Sequence, residues 1–347
     1  MNAIDFPAHV QLRIPVTELS QVGSARRAAT ELGARLRLEP FQSGREALIA
    51  TELATNLVKH ARDGELLLRV LGDDGSEGLE FLAIDRGPGI ENLAECLRDG
   101  YSSAGSPGTG LGAIRRMADA HDIDSRVALG TVIMARILAA RERQRSDLEV
   151  GAICLPLPGE TACGDAWALT RRAHGCRLIV ADGLGHGPGA AEASQAAIAS
   201  FRAQPNATPW EALEAAHGAC RSTRGAAVLV AEIDRGESEL RYAGVGNISG
   251  ALIDAYGWRS LVSHNGTVGH ELRKVQPFVL PWRPGATLIV HSDGIGTRWN
   301  LAAYPGVIGR HPAVIASVLY RDFARGRDDV TVLVVAGKGE SPWAAGS

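Results

Sequence analysis

The apolar positions in the first 140 residues follow two rhythms. "VQLRIPV" (10–16) alternates in the manner of a half-buried strand, while "SQVGSARRAATELGARL" (20–36) and the longer "GREALIATELATNLVKHA" (44–61) repeat at helical spacing. "ELLLRVLG" (65–72) and "LEFLAIDRG" (79–87) read as two strands joined by the turn-rich "DDGSEG". "GLGAIRRMADAHD" (110–122) predicts a third helix, and "SRVALGTVIMARIL" (125–138) returns to strands. Helices laid on one face of a sheet make an α+β layer. The pattern breaks at "LAARERQRSDL" (138–148). Beyond it come many strands: "VGAICLPL", "AWALTRR", "CRLIVAD", "AAVLVAEID", "ELRYAGVGN", "SGALIDA", "TLIVHSDG" and "DVTVLVVA". Helices are predicted at about 187–203, 209–221 and 311–325. This half suits two stacked sheets flanked by helices. The expected fold class is therefore α+β with two domains, 1–140 and 149–338.

Length agrees, since 347 residues correspond to roughly two domains of about 150. With 45% hydrophobic and 22% charged residues the chain can build sizeable cores. A net charge of −3 without a basic cluster argues against nucleic acid. The cysteines Cys96, Cys154, Cys163, Cys176 and Cys220 are odd in number and scattered, which fits free thiols better than a disulfide framework or a zinc site. No apolar run nears the ~20 residues of a membrane span and the N-terminus carries no targeting pattern, so a cytoplasmic location without membrane contact is expected.

Chemistry enters first on the second helix. Glu52 and Asn56, four apart, share a face, with Lys59 and His60 one turn on. Glutamate can take a proton from a hydroxyl, asparagine offers oxygen to a hard cation, and lysine can meet a phosphate; a solvated polar stripe would look the same. "AIDRGPGI" (83–90) then places Asp85 at a strand end, suited to an exocyclic amine such as that of adenine. "SPGTGLGAIRRM" (106–117) runs a glycine loop into a helix N-terminus, where free N–H groups favour phosphate. No Gly-Lys-Ser/Thr of the Walker type occurs.

These pieces, in this order, resemble the GHKL ATPase and kinase family. ExxxN is matched by Glu52 and Asn56, DxGxG by Asp85, Gly87 and Gly89, and GxGxG by Gly108, Gly110 and Gly112. "ARRAATELG" and "GYSSAGSPGTGLGAIRRMAD" resemble more narrowly the small RsbT-type serine kinases of bacterial stress signalling, over about residues 8–138. The resemblance implies a Bergerat-type ATP site with Mg²⁺ on Asn56, Glu52 as general base and Asp85 on adenine. Lys59 and the loop Gly108, Thr109, Gly110, Leu111 and Gly112 would hold the phosphates. It also implies a substrate serine or threonine on a STAS-domain partner, of the anti-anti-sigma or stressosome-like kind. Arg86 departs from the pattern, standing where a neutral polar residue is expected.

"IVADGLGHGPGA" (179–190) puts Asp182 at the tip of an apolar run, followed by glycines. A dinucleotide loop is the poorer reading: the spacing is not G-x-G-x-x-G, and Asp182 would face the pyrophosphate. Asp165 in "CGDAWAL", Asp293 in "HSDG", and Asp328 and Asp329 in "RDDVTVLVV" also adjoin apolar runs. Each alone could be a turn residue. Gathered, such carboxylates repel, and divalent cations relieve the repulsion; oxygen ligands select Mg²⁺ or Mn²⁺. Two such ions can activate a water against a phosphoryl group, and Gly183 can turn its bare carbonyl toward one.

The linked motifs "ADGLGHGPGAAEAS", "RGAAVLVAEID", "YAGVGNISG", "HSDG" and "RDDVTVLVV" resemble the metal-dependent PPM phosphatases of the SpoIIE and RsbX branch, across about 149–337. The resemblance implies two Mn²⁺ or Mg²⁺ on Asp165, Asp182, Gly183, Asp293 and Asp328, with Asp182 and Asp293 central to catalysis. Asp328 aligns with the family's ligand better than Asp329. His186 reads as a loop residue beside the site and Asn247 as a support for its turn. No residue matches the phosphate-clamping arginine of the eukaryotic relatives. Together the halves imply a partner-switching regulator that phosphorylates and dephosphorylates a STAS-domain partner. The alternative is a phosphatase fused to an ATP-gated anti-sigma or sequestering module.

Overall fold

A computed structural model describes residues 9–36, 44–72, 77–96, 110–138, 147–272 and 276–338. The described residues divide into two compact units, the first ending by residue 138 and the second beginning at residue 147.

The first unit contains β1 (Leu12–Pro15), α1 (Leu19–Arg35), α2 (Arg45–His60), β2 (Glu65–Leu71), β3 (Gly78–Ile84), α3 (Leu93–Cys96), α4 (Gly110–Met117), β4 (Ala120–Arg126) and β5 (Gly130–Leu138). The strands form one antiparallel sheet in the order β1-β2-β3-β5-β4. Period-2 alternation turns Leu66, Leu68, Leu79, Phe81, Ala83, Ile133, Ala135 and Ile137 to one face. Period-3.6 spacing turns Ala25 and Ala29 of α1, the Ile49-Ala50-Leu53-Ala54-Leu57 stripe of α2 and Ile114 of α4 onto it.

The third helix begins at Gly110, as its spacing predicts, and Leu111 and Ile114 already reach the core. Its predicted end moves. The third helix stops at Met117, not near 122. The guanidinium of Arg45 takes the Met117 carbonyl (Nε to O 2.7 Å), and the Asp119 N–H bonds to the Arg136 carbonyl (2.8 Å), which draws the chain into β4.

The second unit contains β6 (Leu148–Leu155), β7 (Asp165–Arg172), β8 (Gly175–Gly183), α5 (Pro188–Ala203), α6 (Pro209–Ala219), β9 (Ala226–Asp234), β10 (Glu239–Val245), β11 (Ser249–Asp254), β12 (Gly257–Leu261), β13 (Phe278–Pro281), β14 (Thr287–His291), α7 (Pro312–Phe323) and β15 (Val330–Gly337). Two five-stranded antiparallel sheets, ordered β13-β10-β9-β8-β7 and β12-β11-β14-β15-β6, make a sandwich. Ala166, Ala168, Ile179, Ala181, Val228 and Val230 face Ala193, Ala197, Phe201 and Leu213 of α5 and α6. The opposite face, with Trp167, Val180 and Leu229, is buried too. Helix α7 packs on β6 and β15, where a Cβ at Gly151 would strike the backbone of Ala313. Strands β12 and β13 are short edges whose sequences signal little. Helix starts follow local chemistry: Thr208 and Glu211 cap α6 reciprocally, and Pro188 opens α5. The fold is thus an α/β layer followed by a β-sandwich flanked by helices.

Candidate active sites

In the first unit Glu52 and Asn56 lie half-buried one turn apart on α2, while Lys59 is exposed near its end. Asp85 follows β3 and is partly buried. Its Oδ1 accepts from the Gly87 N–H (2.6 Å) and the Thr131 N–H (3.2 Å), which fixes the plane of the carboxylate. Gly89 holds a positive φ of 76°, and the turn it makes is tied to the β4–β5 connection by the Ala128 N–H on the Pro88 carbonyl (2.8 Å). Arg86 is exposed. Gly110, Leu111 and Gly112 form the first turn of α4. Gly108 and Thr109 lie outside the described residues. Thr131 is a supporting residue that sequence reasoning missed; it is recognisable only once β5 is paired with β3.

In the second unit the aspartates converge. Asp165 opens β7 and Asp182 nearly closes β8, and the two are register partners across the ladder. Asp293 follows β14 and Asp328 precedes β15. These chain ends cross closely, since a Cβ on Gly294 would strike the Asp329 carbonyl oxygen. A Cβ on Gly183 would strike the Ala190 carbonyl oxygen, so the Asp-Gly pair can pass beneath α5 only with glycine.

Two neighbouring groups hold the carboxylates in place. Ser292 Oγ donates to Asp165 Oδ2 (2.6 Å) and accepts from the Thr331 N–H (3.0 Å); Asn247 Nδ2 donates to Asp293 Oδ2 (2.7 Å). Asp329 is buried, and its two oxygens accept from the Leu157 N–H (2.8 Å) and the Gly164 N–H (2.9 Å). That spends Asp329 on the scaffold and leaves Asp328, less buried, as the outward carboxylate. His186 Nδ1 pairs with Glu160 Oε1 at 2.7 Å. Ser292 was not foreseen, because its role depends on β14 and β15 pairing.

The electrostatics carry the mark of crowding. Burial, then the charges of Asp165, Asp293, Asp328 and Asp329, push the Asp182 carboxyl up to about 9. Burial pushes Asp165 up to about 8, with the Ser292 bond opposing and Asp329 reinforcing. Burial also raises Asp329 against its two backbone bonds. Like charges held together in low dielectric behave this way. An acidic, oxygen-only donor set with a bare glycine carbonyl at its edge suits hard divalent cations. Among the described residues, no three of these side chains already surround one point closely enough to hold an ion as they stand.

Comparison with known proteins places both halves. Residues 16–137 match the family profile of the histidine kinase-like ATPase domain, and residues 172–337 that of stage II sporulation protein E (SpoIIE). The chain is 35% identical over 112 residues to serine/threonine-protein kinase RsbT of Bacillus subtilis (strain 168), covering 31% of this chain and 84% of that protein. The chain belongs to the RsbT-type kinase family, with a SpoIIE-type domain joined behind it. A solved chain described as "The bacterial stressosome: a modular system that has been adapted to control secondary messenger signaling" is 31% identical. It superposes with a TM-score of 0.52 over 54% of this chain and 98% of that one. RsbX in complex with magnesium is 20% identical, with a TM-score of 0.49 over 55% and 96% of the two chains. An RsbT-like unit followed by a PP2C-like unit fits partner-switching signalling. Among the described residues no helix is long and apolar enough to cross a membrane.

Proposed function

We propose that the chain is a two-way switch: the first unit transfers phosphate from ATP to a serine or threonine of a STAS-domain partner, and the second removes it with divalent metal. The observation that carries this reading is the coexistence in one chain of an RsbT-like unit and a separate convergence of Asp165, Asp182, Asp293 and Asp328. In the first unit Asp85 would take the adenine amine and Asn56 the Mg²⁺ of ATP. Glu52, on the same face, would accept the proton of the attacking hydroxyl. Lys59 and the loop from Gly108 to Gly112 would hold the phosphates.

In the second unit Asp165, Asp182, Asp293 and Asp328, with the Gly183 carbonyl, would hold two Mn²⁺ or Mg²⁺. Bound there, such ions supply positive charge and Lewis acidity for phosphoester hydrolysis. The chain's own part is positional: Ser292 and Asn247 aim the carboxylates, and Asp329 locks the loops 157 and 164 beneath them. The stressosome-related structural likeness and the RsbT relative support a STAS-type partner.

The test is direct. Full-length protein incubated with ATP, Mg²⁺ and a STAS-domain partner should phosphorylate it, and Asn56→Ala should abolish this while Mn²⁺-dependent dephosphorylation continues. Asp182→Ala should do the converse. A partner that binds but never gains phosphate would leave the sequestering alternative, and hydrolysis persisting in EDTA would rule out the metal site.

A further inference from the structure

We infer that Arg224 is the residue that holds the substrate's phosphoryl group at the second site, and that Gly189 is glycine in order to seat it. The inference rests on the phosphatase reading of that site and deepens it, because no residue there had been assigned to capture the phosphate. The four aspartates and their cations can serve the reaction, but the acidic loops repel an incoming dianion until something on the protein attracts it.

Arg224 stands where that cation is needed. It precedes β9, whose first residues, Ala226 and Ala227, pair with Gly183 and Asp182. The Leu184 N–H donates to the Gly225 carbonyl (2.9 Å), so residue 224 is tied to the turn that follows Asp182 and Gly183. The Arg224 carbonyl is held by His270 Nε2 (2.9 Å). Its guanidinium reaches back across the Gly185–Gly189 loop. A Cβ on Gly189 would lie 2.7 Å from Nε and 2.8 Å from Cζ, and one on Gly185 would lie 3.5 Å from Nη1. The same loop closes on the acidic cluster: around Gly164 stand the Gly185 carbonyl, the Ala190 Cβ and the Asp329 Oδ2.

The guanidinium has no local partner to explain its position. Among the described residues its side chain makes no hydrogen bond or ion pair, and the residue is exposed. Glu160, a carboxylate beside Gly187 of that loop, is engaged by His186. A cation over the first turn of α5 gains nothing from the helix, whose free N–H groups there favour anions. A planar fork of donors beside a metal-suited acid cluster matches a phosphoryl group, which accepts two N–H bonds from one guanidinium. The ligand class is a phosphorylated hydroxyl side chain, and inorganic phosphate is its simplest probe.

Full-length protein loaded with Mn²⁺ is titrated with inorganic phosphate by calorimetry, and its KM and kcat are measured with p-nitrophenyl phosphate. Arg224→Ala should weaken phosphate binding and raise KM about tenfold or more, with kcat moved less and Mn²⁺ affinity unchanged. Arg224→Lys should recover part of the loss, keeping charge without the fork. Gly189→Ala should act in the same direction by displacing the guanidinium. Its thermal stability should be equal or higher, since alanine suits a helix better than glycine. Arg221→Ala, exposed and three residues away, should leave both readouts within about twofold. Phosphate binding without turnover in the wild type would sink the phosphatase reading and leave the role of Arg224 standing. The inference is overturned if the wild type binds no phosphate, if Arg224→Ala leaves its affinity unchanged or also strips Mn²⁺, or if Arg221→Ala does equal damage.

Discussion

Asp182 shows how much a single side chain depends on its neighbours. On a free chain its carboxyl would ionise near 4; packed beside Asp165, Asp293, Asp328 and Asp329 it holds its proton up to about 9. In the folded, metal-free protein Asp182 therefore holds a proton that the unfolded chain has lost between about pH 4 and 9, and its contribution to stability falls as pH rises through that window. Thermal melts without metal should show a midpoint that declines from pH 5 to pH 9. Saturating Mn²⁺ should flatten the decline and release protons on binding at neutral pH; a metal-free midpoint that rises with pH would contradict the crowding. Ser292 acts on its neighbour Asp165. Ser292→Ala removes the donor to Asp165 Oδ2, and Mn²⁺ affinity should drop about 10- to 100-fold in calorimetry, with the fold intact by circular dichroism.

At the scale of elements, strand pairing aligns charge as well as apolar surface. Arg69, Glu80 and Arg136 are register partners across β2, β3 and β5, and all are buried. Burial alone pushes the Glu80 carboxyl up, but Arg136 and Arg69 outweigh it and hold it below its ordinary value. Arg69 Nη2 lies 3.1 Å from Glu80 Oε1, and Arg136 Nε lies 2.8 Å from Oε2. Glu80→Gln removes the charge that Glu80 sets between the two guanidinium groups, and urea unfolding should show a loss of about 3 kcal/mol. A loss under 1 kcal/mol would mean that the buried triad is held by other partners. Because β3 also carries Asp85 at its end, ATP binding should weaken in the same variant.

At the scale of the whole chain, each unit carries its own buried apolar cluster: the α1-α2-α4 layer on its sheet in the first, and the α5-α6 layer on the sandwich in the second. Ligands that bind one native unit should stabilise that unit by mass action. Differential scanning calorimetry should then show Mn²⁺ raising the transition of the SpoIIE-type unit and Mg²⁺-ATP raising that of the RsbT-type unit. Both ligands shifting one single transition would show that the units unfold together.

The sequence by itself determined the α+β class, most of the helices and strands, and the motifs that bring in Glu52, Asn56, Asp85 and the strand-end aspartates. These are written locally, in hydrophobic period and in glycine beside acid. It placed Asp165, Asp182, Asp293 and Asp328 at strand ends without showing that they meet. What only the tertiary structure decided is which groups face one another across long stretches of chain. Ser292 reaches Asp165, Asp329 turns inward to Leu157 and Gly164, and Arg224 lies over Gly189. Such pairings follow from sheet register and close backbone crossings. Those are set by the packing of the whole core, and they leave no periodic trace in any one stretch of chain.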